Sequence, residues 1–250
     1  MRAVVWCIAF AALFGLPSTS LAEEVRVAVA ANFAGAMKKI AAEFEKSTGH
    51  KVLQTAGATG QFYNEIKNGA QFDVLIAGDD ETPARLETEG FAVPGSRFTY
   101  AIGILVLWSA KPNFVDANGQ VLKTGNFARL AIANPRMAPY GRAASETLKA
   151  LGLTQALTPK FVIGGSVSDA YALIATGSSE LGFVGLSQLI ASGRVNDGSV
   201  WKVPPELYAP LRQDAVLLSK GRGNMAALAL LRYLKSSAGK ATILSSGYRL

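Results

Sequence analysis

Strand-type and helix-type segments alternate from residue 24 to the C-terminus, and no other feature of the chain restricts its fold as much. EVRVAVAA is a β-type run, and the segment after it sets Phe33, Ala36, Met37, Ile40 and Phe44 at helical spacing before stopping at Gly49. KVLQTAG reads as a strand, a short helix runs through Phe62 and Ile66 to near Gly69, DVLIAG is a buried strand, ETPARLETEG a helix and AIGILVLW a longer apolar strand. The second half continues with RLAIANP, KFVIGG and LGFVGL as strands, and YGRAASETLKALG and SVSDAYALIATG as helices. DAVLLS then gives a strand, and NMAALALLRYLKS and GKATILSSGY give two closing helices. Such alternation predicts an α/β fold, with mostly parallel sheets covered by helices on both faces.

The apolar runs AIGILVLW and DAVLLS suggest how the elements divide. If both cross between lobes, residues 23–102 join 212–250 in lobe 1, residues 103–211 form lobe 2, and the two crossing strands are a hinge. One continuous doubly wound sheet is the alternative.

The N-terminus reads as an export signal. MRAVVWCIAFAALFGLPSTSLA has Arg2, an apolar run from Ala3 to Leu16, a break at Pro17 and small residues at Ser20 and Ala22. This predicts a secretory signal peptide over residues 1–22, cleaved after Ala22, and a periplasmic address. Cys7 leaves with it, so thiol catalysis and thiolate metal sites are excluded from the mature chain, whose stability must come from a core. The mature chain keeps 24 basic and 18 acidic residues, and the basic ones are scattered without interleaved aromatics. Nucleic acid is therefore not expected as a partner, and the charge provides solubility and mild attraction for anions.

Four junctions share one construction, a strand followed by small or polar residues and a helix start: Ala31-Asn32, Ala58-Thr59-Gly60, Pro139-Tyr140-Gly141 and Ser166-Val167-Ser168. In an open α/β sheet, ligands collect beyond the carboxyl ends of the strands, where helix N-termini present unpaired N–H groups to anions. Each junction taken alone can be an ordinary N-cap; together they outnumber any other candidate site. His50, the only histidine, follows the helix-ending Gly49 at an expected surface position, which leaves a hydrolytic triad without a base. Asp79, Asp80 and Glu81 read as a turn, and Gly164-Gly165 lacks the phosphate-loop signature.

In order along the chain, VAANFAGAMKKIAAEFEKSTG, GATGQFYNEIKNGAQFDVLIAGD, IANPRMAPYGRAASETLKALG, SVSDAYALIATGSSELGFVGLSQ and ATILSSGY resemble the periplasmic molybdate-binding proteins of ABC transporters. The resemblance covers essentially the whole mature chain. It implies the two-lobed type II periplasmic binding protein fold and an exported, monomeric receptor for molybdate or tungstate. The receptor would pass its anion to a membrane ABC permease, with no cofactor, no catalysis and molybdenum present only within the oxyanion.

The resemblance also implies a ligand set. Asn32 stands where the family has Ser or Asn, and Thr59 where it usually has Ser; Tyr140 and Val167 match positions that give backbone N–H groups. Gly185 stands where some members have a ligand-contacting Tyr, so Ala31, Ala58 or a water is the expected substitute. Such a set suits the chemistry of molybdate, a dianion without a proton at neutral pH, which calls for donors and no carboxylate. Asn32 is expected to cap the first helix through its side-chain oxygen while its amide or backbone N–H faces the cleft. The alternatives are a receptor for sulfate or another tetrahedral oxyanion, a secreted enzyme such as a dehydratase, and a ferric-ion receptor. The enzyme needs a cleft-facing acid or base, none of which stands at the four junctions, and the ferric receptor needs clustered tyrosines, which here are dispersed.

Overall fold

The computed structural model describes residues 22–250, so all but the last residue of the expected signal segment lies outside the described residues. In chain order the strands are β1 (Glu24–Ala30), β2 (Lys51–Gly57), β3 (Val74–Ile76), β4 (Phe98–Ile102) and β5 (Leu105–Ser109). They continue as β6 (Leu130–Ala133), β7 (Phe161–Gly164), β8 (Leu181–Gly185), β9 (Ser199–Lys202) and β10 (Arg212–Leu217). The helices are α1 (Ala34–Thr48), α2 (Thr59–Lys67), α3 (Glu81–Thr88), α4 (Val121–Thr124) and α5 (Pro139–Ala150). After them come α6 (Thr154–Leu157), α7 (Val167–Ala175), α8 (Leu186–Ala191), α9 (Met225–Lys235) and α10 (Ser237–Ser245).

Two five-stranded sheets result, ordered β2-β1-β3-β10-β4 and β7-β6-β8-β5-β9. In each, four strands run one way and a single strand, β10 or β5, runs against its two neighbours. The central strands β3, β5 and β8 are buried along their whole length, which is why they read as unbroken apolar runs rather than alternating ones. β2 is a sheet edge and carries the polar, exposed composition that protects an edge.

Helices cover both faces. On one face of the first sheet α1 buries Ala36, Met37, Ile40 and Phe44 with Leu230 and Leu234 of α9; on the other, Phe62, Ile66 and Leu86 of α2 and α3 pack on Ala28 and Leu75. Burying each such large side chain contributes about 1.5–3 kcal/mol. α1 stops at Gly49, whose φ of 77° lets its N–H reach the Glu45 carbonyl. The expectation for His50 does not hold: it is buried, stacks on Phe44, and its Nδ1 accepts the Glu23 N–H at 3.1 Å. An aromatic neighbour and a strand-end donor give this imidazole a better environment than water.

AIGILVLW is two strands rather than one. Gly103 and Ile104 interrupt it, so that β4 ends in the first sheet and β5 begins in the second. The first four residues of DAVLLS fall in β10, inside the first sheet, and residues 203–211 make the return crossing. The two crossings touch where the Gly103 N–H donates to the Leu211 carbonyl at 2.9 Å.

Candidate functional site

Where the two lobes meet, one small cavity is lined by Ala30, Ala31 and Asn32 at the end of β1, Gly57, Ala58 and Thr59 at the start of α2, Ala138, Pro139 and Tyr140 at the start of α5, and Val167 at the start of α7. Its volume is about 10 Å³, room for about one water molecule and far below that of a drug-sized pocket. Six of the seven positions singled out from the sequence, Ala31, Asn32, Ala58, Thr59, Tyr140 and Val167, thus share one wall. Gly185 is not on it. Its N–H donates to Gln188 Oε1 at 3.0 Å, and a Cβ there would lie 3.1 Å from Cε1 of the Tyr140 ring, which covers it.

Helix starts supply the donors by elimination. In α2 the N–H groups of Gln61 and Phe62 reach the Ala58 carbonyl and that of Gly60 crosses to the Met137 carbonyl at 2.9 Å, leaving the Thr59 N–H. In α5 Pro139 has no N–H, Gly141 and Arg142 donate to the Ala138 carbonyl, and the Tyr140 N–H is left. In α7 Ser166 and Asp169 form a reciprocal capping box that consumes their own N–H groups, leaving those of Val167 and Ser168. Helix starts from both lobes therefore place residues with free N–H groups, Thr59, Tyr140 and Val167, together on the lining of one cavity.

Thr59 adds a hydroxyl. It is 1 % exposed, and its Oγ1 accepts the Gly78 N–H at 2.9 Å, so the hydroxyl proton remains available to donate. Its side chain caps nothing; Ala58 holds the N-cap position.

Asn32 departs from expectation. It lies within a 3₁₀ turn (Ala31–Phe33), and neither that turn nor α1 has a side-chain cap. Its Nδ2 instead donates to Gln213 Oε1 at 2.8 Å and to the Tyr248 hydroxyl at 3.1 Å, while its carbonyl accepts from Tyr248 at 2.7 Å and Ser187 at 3.1 Å. The two bonds from Nδ2 fix the orientation of the amide, and in that orientation Oδ1 accepts from no helix N–H. Burial pushes the hydroxyls of Tyr100, Tyr140 and Tyr248 well above the usual phenol range, so all three stay neutral beside the cavity.

No lining residue carries a charge. At the rim, Arg142 of α5 pairs with Glu81 at 2.7 Å and Asp79 at 3.4 Å, joining the lobes. Burial raises the Asp79 carboxyl, against the pull of its Thr82 hydrogen bonds and Arg142, so acidification discharges this contact at a higher pH than a free Asp would need. Further ties run from Ser168 Oγ to the Ala31 carbonyl and from Gln213 Nε2 to the Tyr140 hydroxyl, both at 3.3 Å.

Sequence reasoning missed Gln213, Tyr100, Tyr248, Ser187 and Gly78, which hold the cavity wall from behind. The one available signal was a polar pair, Gln213-Asp214, at the head of an apolar strand.

A family pattern described as bacterial extracellular solute-binding protein matches residues 25–249. The molybdate-binding protein ModA of Azotobacter vinelandii is 55 % identical over 235 residues, covering 94 % of this chain and 93 % of that one. ModA of Rhodobacter capsulatus is 48 % identical over 240 residues, covering 96 % and 94 %. Among solved structures, the Azotobacter vinelandii periplasmic molybdate-binding protein superposes with a TM-score of 0.88 at 41 % identity, over 90 % of this chain and 99 % of that one. With two mixed sheets, helices on both faces and this match along nearly its whole length, the chain belongs to the bacterial extracellular solute-binding protein family.

Proposed function

We propose that the protein is a periplasmic receptor that binds molybdate, and tungstate with it, and delivers the anion to an ABC permease. One observation carries the reading: neutral donors from both lobes, the Thr59 hydroxyl and the N–H groups left at Thr59, Tyr140 and Val167, converge on a cavity of about 10 Å³ whose wall has no carboxylate. A fully ionised tetrahedral oxyanion needs donors only, whereas an anion that keeps a proton needs an acceptor as well. The names of the 55 % and 48 % identical relatives point to the same ligand.

The receptor acts by binding and release, as a monomer without a cofactor. In this reading residues 23–102 with 212–250 and residues 103–211 are the two moving lobes, and the crossings at Gly103-Ile104 and 203–211 are the hinge. Residues 1–22 serve as the cleaved export signal.

Native mass spectrometry and titration calorimetry with molybdate, tungstate, sulfate and phosphate test the assignment. One molybdate or tungstate per chain, with sulfate and phosphate much weaker, is the expected result. Tighter binding of sulfate would reassign the ligand within the oxyanions, and no uptake of any of the four would overturn the receptor reading.

A further inference from the structure

Gln213 is fully buried on β10, beside the point where the β10–β4 register shifts between Gln213 and Asp214. Its amide meets both sides of the cavity wall. Oε1 accepts from Asn32 Nδ2 at 2.8 Å and lies 3.0 Å from the Tyr100 hydroxyl, which also faces the Ala77 carbonyl at 2.9 Å. Nε2 donates to the Tyr140 hydroxyl at 3.3 Å. The crossing chain leaves room for this pair, since a Cβ on Gly103 would lie 2.3 Å from the Tyr140 hydroxyl and 2.6 Å from Gln213 Nε2.

In this arrangement both Asn32 amide protons point away from the cavity, to Gln213 and Tyr248. Asn32 Oδ1 lies on the opposite side, near Thr59 Oγ1: the two atoms would stand 3.0 and 3.2 Å from a Cβ on Gly78. A carbonyl oxygen there repels an oxyanion. Turning both amides by half a rotation gives a second network in which the Asn32–Gln213, Asn32–Tyr248, Gln213–Tyr100 and Gln213–Tyr140 contacts all remain paired. Asn32 Oδ1 then accepts from Gln213 Nε2, whose other proton goes to the Tyr100 oxygen while Tyr100 donates to Ala77. Gln213 Oε1 accepts from Tyr140, which changes from acceptor to donor. Tyr248 turns its proton to Asn32 Oδ1, and Ser187 keeps the Asn32 carbonyl covered. Asn32 Nδ2 now faces the cavity. Only a side chain with a donor and an acceptor at its tip serves both networks.

We propose that Gln213 is a positioning residue for the anion site, an amide that turns together with Asn32 so that oxyanion binding selects the state presenting Asn32 Nδ2. The inference rests on the oxyanion reading above. Ionised, Gln213→Glu supplies acceptors only and holds Asn32 in the repelling orientation, and Gln213→Met removes the partner for either state whatever the pH.

The test is calorimetric titration of molybdate into the unmodified protein and both variants at neutral pH, with ligand-free melting curves on the same preparations. Gln213→Met is expected to bind about tenfold more weakly, the scale of one hydrogen bond, and Gln213→Glu about a hundredfold or more, since a buried acceptor-only group adds its own penalty. A purely structural role would lower the melting temperature of both and leave their affinity below melting unchanged, which overturns the proposal. In the unmodified protein, labelled with ¹⁵N, the side-chain NH₂ resonances of Asn32 and Gln213 are expected to shift when molybdate is added; unmoved resonances overturn it even if neither variant folds. Failure of the unmodified protein to bind molybdate would sink the parent reading, and this inference with it.

Discussion

At the scale of single residues, the donors divide into those legible in sequence and those that are not. Thr59, Tyr140 and Val167 sit at strand-to-helix joins, which local periodicity and punctuation reveal. Gln213 does not, because its partners Asn32, Tyr100 and Tyr140 lie 181, 113 and 73 residues away. If the proposed receptor reading holds, Thr59→Ala removes a hydroxyl donor to the anion and is expected to weaken molybdate binding by about 1.5–3 kcal/mol, while Thr59→Ser retains most of the affinity. Unchanged affinity of the Ala variant in calorimetry would leave Thr59 as no more than the acceptor for Gly78. For Asn32→Asp the structure alters what the sequence led one to expect. With no cap to preserve, the buried carboxylate can be paired on its Gln213 side only by turning Gln213 so that Nε2 donates to it, and residue 32 then has no side-chain N–H left to offer an anion. The ligand-free protein is expected to lose about 2 kcal/mol or more, and molybdate binding to vanish. A melting curve and a titration on the same sample check both halves, and near-normal binding would remove Asn32 from the site.

Among elements, the longer helices and buried strands were readable because each shows a full period or an unbroken apolar run. α4, α6 and α8 have four to six residues, too few for a helical period to emerge, and β9 has four with an irregular burial pattern. AIGILVLW looked like one strand because hydropathy does not register a change of sheet at Gly103. Gly103→Ala tests that junction: the added methyl meets the Tyr140–Gln213 pair, and a loss of about 1–3 kcal/mol in denaturant unfolding is expected, the cost of overpacking. The rim contact between α5 and the α3 start is weaker. Arg142 is 42 % exposed, so Arg142→Ala is expected to change affinity by less than about 1 kcal/mol, expressed as faster release. Stopped-flow release rates for the two proteins should converge at about 0.5 M salt, where screening erases exposed pairs. A difference that persists in high salt would assign Arg142 a packing role instead.

For the whole molecule, closure about the crossings predicts a smaller radius of gyration in solution scattering when molybdate is added, and superimposable profiles at saturation would count against a hinge. The strand order carries a consequence for biosynthesis. β10 lies between β3 and β4, so the first sheet cannot be joined across its middle until residues 212–217 exist, whereas β5 to β9 are contiguous in the chain. A chain emerging from its N-terminus thus presents β1 to β3 early and holds them with an open slot while residues 77–211 are made. The usual order, in which the first-made segment folds first, is expected to be inverted: the later-made sheet can close before the earlier one. Pulsed hydrogen exchange during refolding should protect amides of β5, β6 and β8 before those of β3 and β4, and a chain truncated after Leu211 should keep the second sheet's protection while the first exchanges freely. Simultaneous protection of both sheets would mean that the late strand finds its slot faster than the contiguous sheet can form.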